Sequence, residues 1–71
     1  MKTVLVFKTS VRKKKEIKML RSLLNTIIDH NDHWNFDLED CDNILRVETQ
    51  MLQPETVTSA LNVRGFYCEE L

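Results

Sequence analysis

Apolar positions recur along this chain with two different periods, and each change of period marks an element. Thr3-Val4-Leu5-Val6-Phe7-Lys8 is β-branched, apolar and too short for a helix, which predicts a buried central strand. From Arg12 to Asp29 the apolar positions Ile17, Leu20, Leu24, Ile27 and Ile28, with Leu23 beside them, return every three or four residues. That spacing makes one helical face, with Ser10 as the expected N-cap. Asp29-His30-Asn31-Asp32 ends the period with turn-forming residues. His33 to Glu39 then alternates strictly, with Trp34, Phe36 and Leu38 inward and His33, Asn35, Asp37 and Glu39 outward, as a half-buried strand does.

Asp40-Cys41-Asp42-Asn43 supplies hairpin chemistry, and Ile44 to Thr49 is the returning strand with Leu45 and Val47 on one face. Pro54 suits the first turn of a second helix, whose apolar stripe is Val57, Ala60 and Leu61. Gly65, the single glycine, stands where a helix C-cap needs positive φ. Phe66 to Leu71 closes as a strand, with Phe66 and Cys68 on one face and Tyr67 and Glu69 on the other. The order strand, helix, strand, strand, helix, strand predicts one α+β domain over residues 1–71, a ferredoxin-like βαββαβ sandwich. Its four-stranded antiparallel sheet has the expected order 4-1-3-2 with both helices on one face. This topology gathers residues 9–15, 40–43 and 62–65 at one end of the sheet.

The ending, from Pro54-Glu55-Thr56-Val57 through Ala60-Leu61 to Gly65-Phe66-Tyr67-Cys68, together with length and element order, resembles the heavy-metal-associated domain family. These are the copper-chaperone-like modules also found at the N-termini of transport ATPases, and the resemblance extends over essentially all 71 residues. It implies the fold. The family's activity rests on a Met-x-Cys-x-x-Cys loop between the first strand and the first helix, whose thiolates hold a soft metal. Aligned on the helix stripe, those cysteines fall near Ser10 and Lys13, and this chain has no cysteine before Cys41. The resemblance therefore describes a divergent member without the metal loop, and no cofactor is expected.

Charge is divided along the chain. Residues 1–21 carry eight Lys/Arg and one Glu, residues 22–71 two Arg and ten Asp/Glu, so +7 and −8 give the net −1. The positive end concentrates at Arg12, Lys13, Lys14, Lys15 and Lys18, where cations at a helix N-terminus oppose the macrodipole. Three readings follow. The cluster is a solvated face neutralised by the acidic hairpin, or an anion- or partner-binding site that includes Ser10, or a nucleic-acid surface. A net charge near zero and outward Ile44, Arg46 and Glu48 in place of a stacking platform argue against nucleic acid.

The soft metal ligands available are His30, His33, Cys41 and Cys68, the set for an alternative, relocated metal site. His30 and His33 flank a predicted helix end, far from Cys41, and zinc usually needs four gathered ligands. Cys68 reads as a small buried hydrophobe, and Asp40 and Asp42 beside Cys41 should raise its pKa. No nucleophile stands with a base in reach, so an enzyme is not expected. In the first strand, Leu5 and Phe7 alternate with Val4 and Val6, so one pair faces away from the helices. Taking Leu5 and Phe7 as that pair, with Tyr67 and Leu71 beside them, gives an apolar patch for a protein partner or homo-oligomer. No apolar stretch reaches the roughly 20 residues of a membrane span, and two free thiols without a preceding signal-like segment point to the reducing cytoplasm. The expected role is a small cytoplasmic, non-catalytic binding or interaction module; an anion- or small-ligand-binding regulatory domain is the further alternative.

Overall fold

The computed structural model describes residues 2–39 and 43–71. The elements follow as β1 (Thr3–Thr9), α1 (Lys14–Ile27), β2 (His33–Asp37), β3 (Ile44–Thr49), α2 (Pro54–Val63) and β4 (Cys68–Glu70). They form an α+β unit with one four-stranded antiparallel sheet and two helices. The strand order is β2-β3-β1-β4, which is 4-1-3-2 counted from the opposite edge. No helix of the described residues is long and apolar enough to cross a membrane.

Register decides which side of the sheet becomes the core. Leu5 lies opposite Val47 and Phe7 opposite Leu45, while Trp34 and Phe36 flank the same two β3 residues from β2. Leu20 and Leu24 of α1 and Val57 and Leu61 of α2 close over that face in one cluster. Leu5 and Phe7 thus face the helices, Phe7 with no exposed area, and the expectation that they form an outward patch is corrected. The reason is pairing. Leu45 and Val47 are the only apolar pair on β3's strict alternation with Arg46 and Glu48, and β1 must match its phase to them. Removing the Phe7 ring by Phe7→Ala should cost about 3–5 kcal/mol, since a site this enclosed leaves a cavity.

Helix α1 begins two residues later than the apolar spacing suggests. Val11 is fully buried, and its N–H bonds Thr9 Oγ1 at 3.2 Å, so the chain stays extended until it has seated that side chain. Lys13 is the N-cap, and Ser10 is not. A lysine side chain cannot accept a hydrogen bond, so only the reciprocal half of a capping box forms. The Glu16 carboxylate accepts from the N–H groups of Arg12 (2.8 Å) and Lys13 (3.1 Å). Helix α2 starts at Pro54 as expected. It ends in a Schellman motif, with Phe66 N–H to Leu61 O and Gly65 N–H to Asn62 O, both 3.0 Å, and Gly65 at φ +87°.

The pairs Lys8↔Ile44, Asp37↔Ile44 and Thr9↔Cys68 bring the end of β1, the β2–β3 connection and the approach to β4 to one pole. Thr9 Oγ1 donates to Asn43 O at 2.7 Å, and Ser10 and Tyr67 exchange Ser10 N–H to Tyr67 O (3.1 Å) and Tyr67 N–H to Ser10 Oγ (2.8 Å). Asp40, Cys41 and Asp42 lie outside the described residues, and with them most of the expected neutralisation by the acidic hairpin.

Candidate functional site

The cations of the sequence-derived cluster fall in two groups. Arg12 and Lys13 stand in the extended approach to α1, and Lys14, Lys15 and Lys18 on its solvent side, all exposed. Residues 14, 18, 21 and 25 line one side of the helix because they are spaced by three and four. Lys14, Lys18 and Arg21 therefore make a row with Asn25, and Lys15, Met19, Ser22 and Thr26 make the row beside it. Every charged residue on this exposed face is cationic. The helix's one acid, Glu16, is turned away to the N-terminal amides, whose hydrogen bonds, first from Arg12 and then from Lys13, hold its carboxyl below the usual range. Among the described residues, Arg12, Lys13, Lys14, Lys15, Lys18 and Arg21 form no ion pair.

The internal offset for the adverse dipole is thus Glu16, which the sequence reading passed over. Its signal was present: an acid three residues after the true N-cap, inside a run of cations. Ser10, placed in the cluster on the sequence, holds β4's approach instead of the helix, its oxygen accepting from Tyr67 N–H. Met19, 61% exposed, puts an apolar side chain among Lys15, Lys18 and Ser22.

The open side of the sheet carries Val4 (54% exposed), half-buried Val6, Tyr67 (50%) and Leu71 (65%). Val4 and Val6 take the place expected for Leu5 and Phe7. Leu71 N–H bonds Val6 O at 2.9 Å, so the apolar trio Val4, Val6 and Leu71 is contiguous. Arg46 beside it pairs with Asp37 at 3.5 Å. Tyr67 O–H donates to the Glu69 carboxylate, and this bond raises the phenol's pKa.

The candidate metal ligands do not gather. His30 is fully out in the turn after α1, beside Asp29 at 3.3 Å, and His33 opposite Glu48 is at the pole away from the basic junction. Cys68 is buried and its thiol is pushed up to about 11, so it is neutral near pH 7. Among the described residues no three His, Cys, Asp or Glu side chains come together, and Cys41 lies outside them. The hydroxyls of Thr9 and Ser10 contact main chain and have no imidazole at their pole.

That far pole contains an open cleft of about 510 Å³ lined by Lys2, Asp32, Thr49 and Leu52 among others. Thr49 Oγ1 donates to Asp32 Oδ2 at 2.7 Å and accepts from Leu52 N–H at 3.1 Å. Lys2 Nζ lies 3.4 Å from Asp32 Oδ1 and donates to Asn31 O. Thr49, and then Lys2, keep the Asp32 carboxyl below the usual range. These bonds tie the start of β1 to the end of β3 and the approach to α2, so Lys2, Asp32 and Thr49 already have partners within the chain. No family model, curated protein or solved structure matches this chain.

Proposed function

We propose that this chain is a non-catalytic interaction module of ferredoxin-like βαββαβ design, similar to the heavy-metal-associated domains without their metal loop. Its contact surface is the cationic run Arg12, Lys13, Lys14, Lys15 and Lys18, extended by Arg21, and its partner is an acidic protein segment. The observation that carries this reading is the exposed face of α1: charges of one sign, unpaired among the described residues, placed where they oppose the helix dipole. A surface arranged against helix stability is explained by a ligand of opposite charge, which gains from both the lysines and the dipole. Exposed Met19 amid the cations favours a protein segment with an apolar side chain over a bare phosphate backbone. Where the heavy-metal-associated domains that it resembles hold a cation, this chain has Ser10 and Lys13.

The test follows backbone amide shifts while an acidic peptide containing Glu and Leu, inorganic phosphate and a DNA duplex are added separately. Saturable shifts over residues 12–21 with the peptide, weakened by salt and lost in Lys14→Glu/Lys18→Glu, are expected. Shifts with DNA or phosphate but none with the peptide, or shifts confined to the far-pole cleft, would overturn the reading.

A further inference from the structure

Strand β2 is an edge. β3 pairs with one side of it, and among the described residues no strand pairs with the other. Exposed edges present unpaired N–H and C=O groups, and folded proteins usually blunt them with lysine, proline or a bulge. His33-Trp34-Asn35-Phe36-Asp37 has neither Lys nor Pro, and its register against β3 runs without interruption.

The five residues are also complementary to themselves. A two-fold axis at Asn35 that pairs β2 antiparallel with a second β2 sets residue 33 opposite 37, residue 34 opposite 36, and Asn35 opposite itself. On the open face this places the His33 imidazole across from the Asp37 carboxylate of the second copy, twice. On the helix side it places Trp34 across from Phe36, also twice. The rings already meet edge to face within the chain, with centroids 5.9 Å apart and planes at 80°, and both are half-buried rather than enclosed. Cross-strand aromatic pairs stabilise adjacent strands, and an imidazole N–H can donate to the carboxylate facing it. Trp34 is pre-set for this, because its Nε1–H bond to Asn25 Oδ1 at 3.0 Å fixes the ring on the helix side. Asp37, though it contacts Arg46 and accepts from Glu39 N–H at 3.2 Å, keeps lone pairs free. The opposite edge does not offer this: β4 has three residues, and a two-fold at its middle residue sets Glu69 against its own copy and Glu70 against Cys68.

The geometry points to a second copy of this chain as the occupant of the β2 edge, joining two four-stranded sheets into one of eight strands. The interface is one strand wide and belongs at the small end of specific interfaces, so association is concentration-dependent. It does not rest on the function proposed for the cations of α1, although their row ends at Asn25, the partner of Trp34.

Light scattering and sedimentation of the full chain across a concentration series test it, with amide shifts on dilution as a second measurement. The mass is expected to rise from 8.4 kDa toward twice that value, with dilution shifts over residues 33–37. Asn35→Lys, at an exposed position, sets two ammonium groups across the axis and should abolish the rise while leaving the monomer's circular dichroism unchanged. Asn35→Thr should preserve it. A mass that stays at one chain at the highest concentration reached would overturn the proposal. So would a rise that survives Asn35→Lys and is lost in Val4→Lys, since the open sheet face would then be the interface. Should Asn35→Lys fail to fold, dilution shifts of the unsubstituted chain decide by whether they fall on β2.

Discussion

Replacing Lys14 by Glu should stabilise this protein, although it inverts a charge in its most basic segment. Lys14 is the first residue of α1, where a cation opposes the partial positive charge of the helix N-terminus. Removing that cation is worth about 0.3–1 kcal/mol, and adding an anion there a similar amount. Lys14 and Lys18 are also four apart on the exposed face, a like-charge pair that costs about 0.2–0.5 kcal/mol; a glutamate one turn ahead of Lys18 makes it a favourable pair of similar size. Together these predict a gain of about 1–3 kcal/mol at low ionic strength. Unfolding entropy near 2.1 cal/mol/K per residue gives about 150 cal/mol/K for 71 residues, so each kcal/mol moves the melting temperature by about 7 °C. Thermal unfolding followed by circular dichroism should therefore show Tm rising by about 7–20 °C, with Lys14→Gln giving roughly half. In about 1 M salt, where screening acts over about 3 Å, most of the difference should vanish. An unchanged or lowered Tm at low salt would refute the reasoning, because it would mean that Lys14 is already neutralised within the fold. The gain should accompany loss of acidic-peptide binding if the surface is kept for a partner.

Other outcomes follow from particular contacts. Glu16 and Asp32 both have carboxyl pKa values lowered in the folded chain, by the Arg12 and Lys13 amides and by Thr49 and Lys2. Their contribution is complete above the ordinary carboxylate pKa of about 4 and is lost as pH falls through the lowered folded values, where the unfolded chain binds more protons. Urea midpoints should thus fall below about pH 4, less steeply in Glu16→Gln/Asp32→Asn, and an identical slope would sink this account. Gly65→Ala should cost about 1 kcal/mol from backbone strain at positive φ alone, because no atom lies within 4 Å of the added Cβ; Gly65→Asn should cost less in the same denaturation series. In a Cys41→Ser background, Cys68, with its thiol pushed up to about 11 by burial, should resist a thiol reagent at about pH 8 until the chain unfolds. Rapid labelling of the folded protein would show that the thiol is open to solvent.

The regular elements were legible because their apolar spacing is unambiguous where only one face is apolar. Leu20 and Leu24 mark the buried side of α1, and Leu45 and Val47 that of β3. Pro54 and Gly65 bracket α2 through backbone constraints that no distant residue alters. Local pattern fails where both faces are apolar or where an anchor is remote. Val4, Leu5, Val6 and Phe7 alternate without saying which pair is inside, and only pairing with Val47 and Leu45 answers that. Ser10 has the chemistry of an N-cap, but the buried side chain of Val11 holds the chain extended past it, and Tyr67, distant in sequence, takes its oxygen.

Spacing along the chain alone sets the element order, the buried stripe of each helix and the gathering of the cations around the start of α1. Tertiary structure alone decided the phase of β1, the start of α1 at Lys14 and the turning of Glu16 onto the amides before it. It also set β2 at an edge, with the self-complementary run from His33 to Asp37 unpaired among the described residues. Each of these depends on contacts between segments far apart in the chain, and local periodicity holds no information about which distant strand supplies them.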